Sequence, residues 1–119
     1  MCLTKVTHKY DPLLPETRVG YKVFFNKETT LCRLYRSEFY HEYYENYRWY
    51  KANATTVHYD INKRYTSGFH IFEDENIANN WKGNQMAYTV KKVEGRGIMV
   101  EGIQINGSCF VAKEMRIID

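Results

Sequence analysis

The chain has 119 residues, 44% of them apolar, which suits one domain with a single core. Its 17 Lys and Arg stand against 14 Asp and Glu, a net charge of +3. Residues 1–60 hold nine cations and seven anions and residues 61–119 eight and seven, so there is no basic tail or stripe, and the balance argues against a dedicated nucleic-acid binder.

Residues 1–19 contain both prolines, Pro12 and Pro15, and little periodicity, so an extended N-terminal arm is expected there and a single domain over 20–119. "GYKVFF" (20–25) reads as a strand, "NKETT" as a turn and "LCRLYR" (31–36) as its hairpin partner. The next segment is ambiguous. Tyr40, Tyr43, Tyr44 and Tyr47 recur at i, i+3, i+4 and i+7, a helical stripe, yet Tyr and Trp favour strands. A loop or short helix over 38–45 followed by a strand over 47–52 is the expectation. "NATTVHYDINKRY" is irregular, with a short strand at 55–59.

"SGFHIF" reads as a short buried strand entered through Gly68. Asp74 can cap a helix by accepting a free backbone N–H, the acids 73–75 suit its positive end, and Gly83 stops it, which predicts a helix over about 74–82. "MAYTVKKV" and "IMVEGIQI" read as strands separated by an "EGRG" turn. Asn106–Gly107 is a strong hairpin signal, and "SCFVAKEMRII" is the last strand. On it Cys109, Val111, Met115 and Ile117 would share a face. The whole predicts an α+β fold: one antiparallel, strongly curved sheet of five to seven strands with one main short helix.

Cys2, Cys32 and Cys109 are far apart and odd in number, with no ligand spacing, so structural zinc is not expected and reduced cytoplasmic thiols are. "MCLTKVTHKY" has no apolar signal core and no run of about 18 apolar residues occurs, so neither secretion nor a membrane span is expected. The lone G-x-G in "EGRG" lacks the continuation a phosphate loop needs.

Two weak catalytic candidates stand out, His70 and Glu114. His70 lies between Phe69 and Ile71 in a predicted strand, and it is either a base partnered by Glu114 or Asp74, or a structural residue bonded to a backbone carbonyl at the strand-to-helix corner. Cys109 has no cation or helix terminus beside it in sequence and reads as core. The densest recognition chemistry is Tyr40, Tyr43, Tyr44, Tyr47, Arg48, Trp49 and Tyr50: rigid amphipathic rings and an arginine fork, or else rings that close the core.

From Gly20 onward the order "YKVF", "LYR", "WYKA", "YTSGFHIF", "YTVKKVEG", "VAKEMRI" resembles small phage and prophage proteins, which implies a viral accessory role without implying a mechanism. "GFHIFEDENIANNW" is also similar to the strand-into-helix element of the ADP-ribosyltransferase-like fold, which implies an NAD cleft. That pattern wants a His or Arg on the first strand, where "GYKVFF" has neither, and a late Glu, a place Glu114 could take.

The expected function is therefore binding rather than catalysis, with no cofactor and no metal: occupation of a host protein surface, a defence protein above all, through the Tyr/Trp segment. The alternatives are a nucleotide or NAD-derivative site, and single-stranded nucleic acid with Arg48, Lys51, Lys63 and Arg64 on phosphates. Tyr-rich surfaces also suit a homodimer.

Overall fold

Short apolar alternations punctuated by turn residues run through most of the chain, and the computed structural model is mostly strand. It describes residues 3–11, 16–28, 33–37, 43–53, 56–61, 63–84, 88–104 and 107–119. In chain order the elements are β1 (Lys5–Lys9), β2 (Thr17–Glu28), β3 (Arg33–Ser37), β4 (Tyr43–Tyr44), β5 (Tyr50–Lys51), β6 (Thr56–Asp60), β7 (Lys63–Thr66), β8 (Phe69–Phe72), α1 (Glu75–Lys82), β9 (Tyr88–Gln104) and β10 (Gly107–Ile117). The strands pair antiparallel and, among the described residues, there is one helix, so the fold is α+β.

The main sheet has eight strands, ordered β1-β9-β10-β8-β2-β3-β4 with β5 also on β10, and β6 and β7 form a separate two-stranded ribbon. This corrects the expected single sheet of five to seven strands. Strand β1 comes from the predicted arm and β4 from the Tyr-rich stretch, while β5 lies within the strand expected over 47–52. Strand β9 is long enough to pair first with β2, from Phe25↔Tyr88 to Thr17↔Arg96, and then with β1, from Lys9↔Val100 to Lys5↔Ile103. The edge that β9 leaves beyond β2 recruits Lys5–Lys9, whose own pattern does not demand a partner.

The sheet closes on itself. Strand β9 pairs with both β2 and β10, β10 pairs with β8, and β8 returns to β2 through Tyr21↔Phe72. Closing a ring this tight requires small residues inside. A Cβ on Gly95 would lie 2.9 Å from Ala112 Cβ and 3.0 Å from Ile71 Cδ1. The "EGRG" stretch is accordingly not a turn. Strand β9 passes through it unbroken, with Gly97 at φ 66 and a register shift opposite Val111/Ala112, so the strand bends instead of reversing.

Two apolar clusters result. Phe24, Tyr44, Phe69, Ile71, Val93, Ile98, Phe110, Ala112, Met115 and Ile117 fill the inside of the ring. Leu3, Val23, Tyr65, Phe72, Ala78, Met99, Val100, Cys109 and Val111 form the second, where α1 and the ribbon cover the outer face. The face-sharing expected on β10 is therefore corrected. Cys109 and Val111 join the outer cluster while Met115 and Ile117 join the inner one, because the strand changes face between Ala112 and Met115 beside the register shift.

The helix follows its local signals. Asp74 accepts from the Asn76 N–H at 2.7 Å, a cap worth about 1 kcal/mol, and Gly83 ends the helix at φ 62. Ala78 is buried, and Ile77 packs so closely on the start of β10 that a Cβ on Gly107 would collide with it. Strands β9 and β10 pair as expected for a hairpin, but Gly107 is already strand, opposite Gln104, and Asn106 of the expected turn lies outside the described residues.

Candidate functional site

The Tyr-rich segment does not form one surface. Tyr40 lies outside the described residues, and Tyr43 is in β4, paired with Arg36. Tyr44 is fully buried, edge-on to Tyr50 at 4.8 Å and to Phe24 and Phe69 at 5.9 Å. Tyr50 is half-buried against the same cluster, and its hydroxyl accepts from the Glu45 N–H at 2.8 Å. Tyr44 is thus enclosed in the inner cluster and not available for recognition, which corrects its assignment as a binding residue, while Tyr50 keeps a partly exposed ring. Of the loop or short helix expected over 38–45, the described strand residues are Tyr43 and Tyr44, and of the strand expected over 47–52, Tyr50 and Lys51 are strand. Tyr47 is 66% exposed, at φ 64. Arg48 lies 5.5 Å from the Tyr50 ring centroid, and Trp49 stands over the guanidinium groups of Arg96 (3.9 Å) and Arg116 (4.9 Å).

Neither catalytic candidate is presented for catalysis. His70 is 2% exposed. The Tyr65 hydroxyl accepts from the Leu3 N–H at 2.9 Å and gives its own proton to His70 Nε2 at 2.8 Å, and the other ring nitrogen bonds the Gly68 carbonyl. Burial first, and then the charge of Lys22, hold the imidazole down at about 3, so it is neutral and enclosed. Lys22 is itself buried and donates to the His70 carbonyl at 2.9 Å. Glu114 is taken by Arg96 in a two-pronged bond of 2.6 and 2.8 Å, so the two candidates do not make an acid–base pair. Cys109 is buried, with burial pushing its thiol up to about 12, so no thiolate is available.

A larger concave feature among the described residues lies elsewhere. Lys9 at the end of β1, Thr56 of β6, Arg64, Tyr65 and Thr66 of β7, Met99 and Val100 of β9, Lys113 of β10 and Tyr10 line a cleft of about 460 Å³ between the ribbon and the ring of strands. That volume lies within the usual range for small-molecule and cofactor sites. Three of the nine lining side chains are cations and none is a carboxylate. Met99 and Val100 are buried and form an apolar floor, and cross-strand partners Thr56 and Thr66 add hydroxyls. Lys9 Nζ donates to the Arg64 carbonyl at 3.2 Å, which ties β1 to the ribbon.

A second group fixes one wall. The Tyr10 hydroxyl donates to Glu101 Oε2 at 2.7 Å, Arg18 Nη1 donates to the same oxygen at 3.1 Å, and the guanidinium lies 5.3 Å from the Tyr10 ring centroid. Arg18 also lies 3.8 Å from Glu73 and 3.6 Å from Glu16. The Tyr10 hydrogen bond, then that of Arg18, holds Glu101 below the usual carboxylate range. Burial and the neighbouring Glu101 push Glu73 above it. The carboxylates are thus drawn to Arg18, and Tyr10 is left as a braced wall between them and the cationic cleft.

The sequence puts Arg64 among the candidate phosphate contacts but not Lys9 or Lys113. No signal joins three cations on separate strands, and only the pairing of β1 and β10 with β9 brings them near the ribbon. Among the described residues no three His, Cys, Asp or Glu side chains converge as a metal site, and no helix is long and apolar enough to cross a membrane. No protein-family model, curated protein or solved structure matches the chain.

Proposed function

We propose that this protein binds a phosphate-bearing ligand, a nucleic-acid strand foremost, in the cleft between the β6–β7 ribbon and the ring of strands. The observation that carries this is the lining: Lys9, Arg64 and Lys113 around one cavity, with no carboxylate among its described lining residues, over an apolar floor. The modest net charge of +3 is not an objection when the anions are held elsewhere, as Glu16, Glu73 and Glu101 are around Arg18. Attraction to phosphate is local, because charges beyond about 10 Å are screened at ordinary ionic strength.

The test is fluorescence anisotropy with labelled oligonucleotides across a salt series, beside a thermal-shift series with NAD, ADP-ribose and mononucleotides. Three phosphate contacts predict a log–log salt slope of about −2.7 on a duplex or about −2.1 on a single strand. Lys9→Ala and Lys113→Ala should each flatten it by about one. A shift with mononucleotides and no oligonucleotide binding would reassign the cleft to a nucleotide ligand. Absence of both sinks the reading.

A second reading keeps the phage-type role against a host protein and narrows its surface. Tyr47, Arg48 and Trp49 are what the fold leaves of the recognition segment, with Trp49 steadied by Arg96 and Arg116. Pull-down from host lysate with wild type and a Tyr47→Ala/Trp49→Ala variant tests it, and equal recovery of partner by both removes it.

A further inference from the structure

The cleft has a shape as well as a charge. Its two walls belong to different sheets, the ribbon and the main sheet, and they are fastened together at two consecutive residues of β7. Lys9 Nζ donates to the Arg64 carbonyl, and the buried Tyr65 hydroxyl bonds the Leu3 N–H and His70 Nε2. A strand threading the cleft from end to end would have to pass the Lys9 bridge. The volume of about 460 Å³ is that of a small-molecule site and takes in a single nucleotide rather than a run of them. For a compact shape it is roughly 10 Å across, one screening length at ordinary ionic strength, so the three cations act on the same ligand groups. The acids nearby are held elsewhere. Glu114, beside Lys113 in the chain, is taken by Arg96, and Glu101 by Tyr10 and Arg18. Asp60 is the register partner of Lys63 toward the ribbon tip, and Asp11 borders a separate, smaller pocket with Glu16 and Arg18. None of these four lies among the described lining residues of the cleft.

We infer that the cleft takes the unpaired end of a nucleic-acid strand, its terminal phosphate and the adjoining diester held by Lys9, Arg64 and Lys113 and its terminal base laid on Met99 and Val100. This rests on the reading of the cleft as a phosphate site and adds which part of the strand enters. A terminal phosphomonoester carries a charge of about −1.5 to −2 and three strong acceptor oxygens, against about −1 for a diester within the chain. With the adjoining diester, the end brings about three charges to three cations, so the single-strand salt slope given above stands. The middle of a strand is held differently, by a groove along the backbone and a row of rings on which successive bases stack. Of the rings in the described lining, Tyr65 is buried and the Tyr10 hydroxyl is tied to Glu101, and the apolar floor offers a face to one base.

The experiment uses a single strand of about 12 nucleotides, within the usual range of single-strand site sizes, labelled on an internal base so that both ends are free. Anisotropy compares four forms of it: with a 5′-phosphate, with a 3′-phosphate, with hydroxyls at both ends, and closed into a circle. One of the phosphorylated forms should bind more tightly than the hydroxyl-ended strand on the order of tenfold, roughly the effect of one hydrogen bond to a charged group. The circle should bind no better than the hydroxyl-ended strand. Lys113→Ala leaves the Lys9 bridge intact, so it should keep the circular dichroism spectrum and lose most of the preference for the phosphorylated end. If the circle and the hydroxyl-ended strand bind as tightly as both phosphorylated forms, while Lys9→Ala/Arg64→Ala/Lys113→Ala loses binding, the strand end is overturned and the phosphate reading stands. If that triple variant, folded by circular dichroism, binds the phosphorylated strands as well as wild type does, the phosphate reading itself falls, and the strand end with it. A free mononucleotide that binds as tightly as the phosphorylated strand overturns the strand end in favour of a nucleotide ligand.

Discussion

Enclosure of His70 makes the fold acid-sensitive in a way that can be calculated. The imidazole sits near 3 in the folded protein against an ordinary value of 6.5. Between those values the unfolded chain binds a proton that the folded chain refuses, so stability falls as pH drops below 6.5 and the loss is complete near 3. Each pH step in that window costs about 1.36 kcal/mol, hence about 2 kcal/mol at pH 5 and nearly 5 kcal/mol at pH 3. A domain of this size is stable by roughly 5–15 kcal/mol, so the smaller figure is already measurable; it corresponds to a fall in Tm of roughly 8 °C. The assay is urea unfolding at pH 7 and pH 5 for wild type and His70→Gln, whose amide can still accept from Tyr65 and donate to Gly68 but cannot titrate. His8 and His58 are exposed and present in both proteins, so they cancel in the comparison. Wild type should lose about 2 kcal/mol more than the variant over this interval. Equal losses would show that His70 takes up its proton in the folded state, and the argument for a neutral, closed-off histidine would fail.

The group around Arg18 predicts opposite effects of two similar substitutions. Glu101→Gln removes the charged acceptor of both Tyr10 and Arg18 and should cost about 1–2 kcal/mol in denaturant melts at pH 7, whereas Glu73→Gln should be no less stable than wild type. The pH signs differ as well: the stability that Glu101 contributes is present above the ordinary carboxylate range and lost as pH falls through its lowered value, while that of Glu73 is present at low pH and lost as pH rises through its raised value. Tyr44→Ala should cost about 3–5 kcal/mol by emptying the end of the inner cluster, and Tyr47→Ala less than about 0.5 kcal/mol, with urea melts checking both. With Cys2 and Cys32 replaced by Ser, Cys109 should react with a disulfide reagent at pH 8 no faster than the chain unfolds; rapid labelling of the native protein would contradict its burial.

What could be read in the sequence was local, and what could not was the product of pairing. The helix at Glu75–Lys82 is set by Asp74 and Gly83, which act within one turn of their own positions. The antiparallel β2–β3 and β9–β10 pairings follow from short-range alternation. The Tyr spacing failed for a physical reason. Positions 40, 43, 44 and 47 mimic a helical stripe, but Tyr43–Tyr44 pairs with β3 and Tyr50–Lys51 pairs with β10 beyond the residues that β8 covers, and Tyr44 is buried between the two pairings. Backbone pairing available on β3 and on β10 outweighed a periodicity that only an isolated helix would have used. "EGRG" failed similarly. Its glycines are turn residues by composition, but inside a closing ring they serve close packing and bending.

Charge shows the same division between composition and arrangement. Counted along the chain, cations and anions alternate and suggest no polyanion site. In the fold, three of the carboxylates that could neutralise a phosphate cleft converge on a single arginine, and Tyr10 stands between the two groups with its hydroxyl on Glu101 and its ring lining the cleft. The Arg18 group therefore contributes to the cleft by withdrawing negative charge from it and by bracing its wall. Loss of Glu101 should act on ligand binding as well as on stability, and in a particular direction. Removing an anion from the neighbourhood of a phosphate site should raise affinity through electrostatics, whereas releasing Tyr10 should lower it through a mobile wall. Tyr10→Phe separates the two, because it frees the ring from Glu101 while leaving the charge in place. If Tyr10→Phe weakens oligonucleotide binding and Glu101→Gln weakens it no further, bracing is the larger effect; if Glu101→Gln binds more tightly than wild type, charge is.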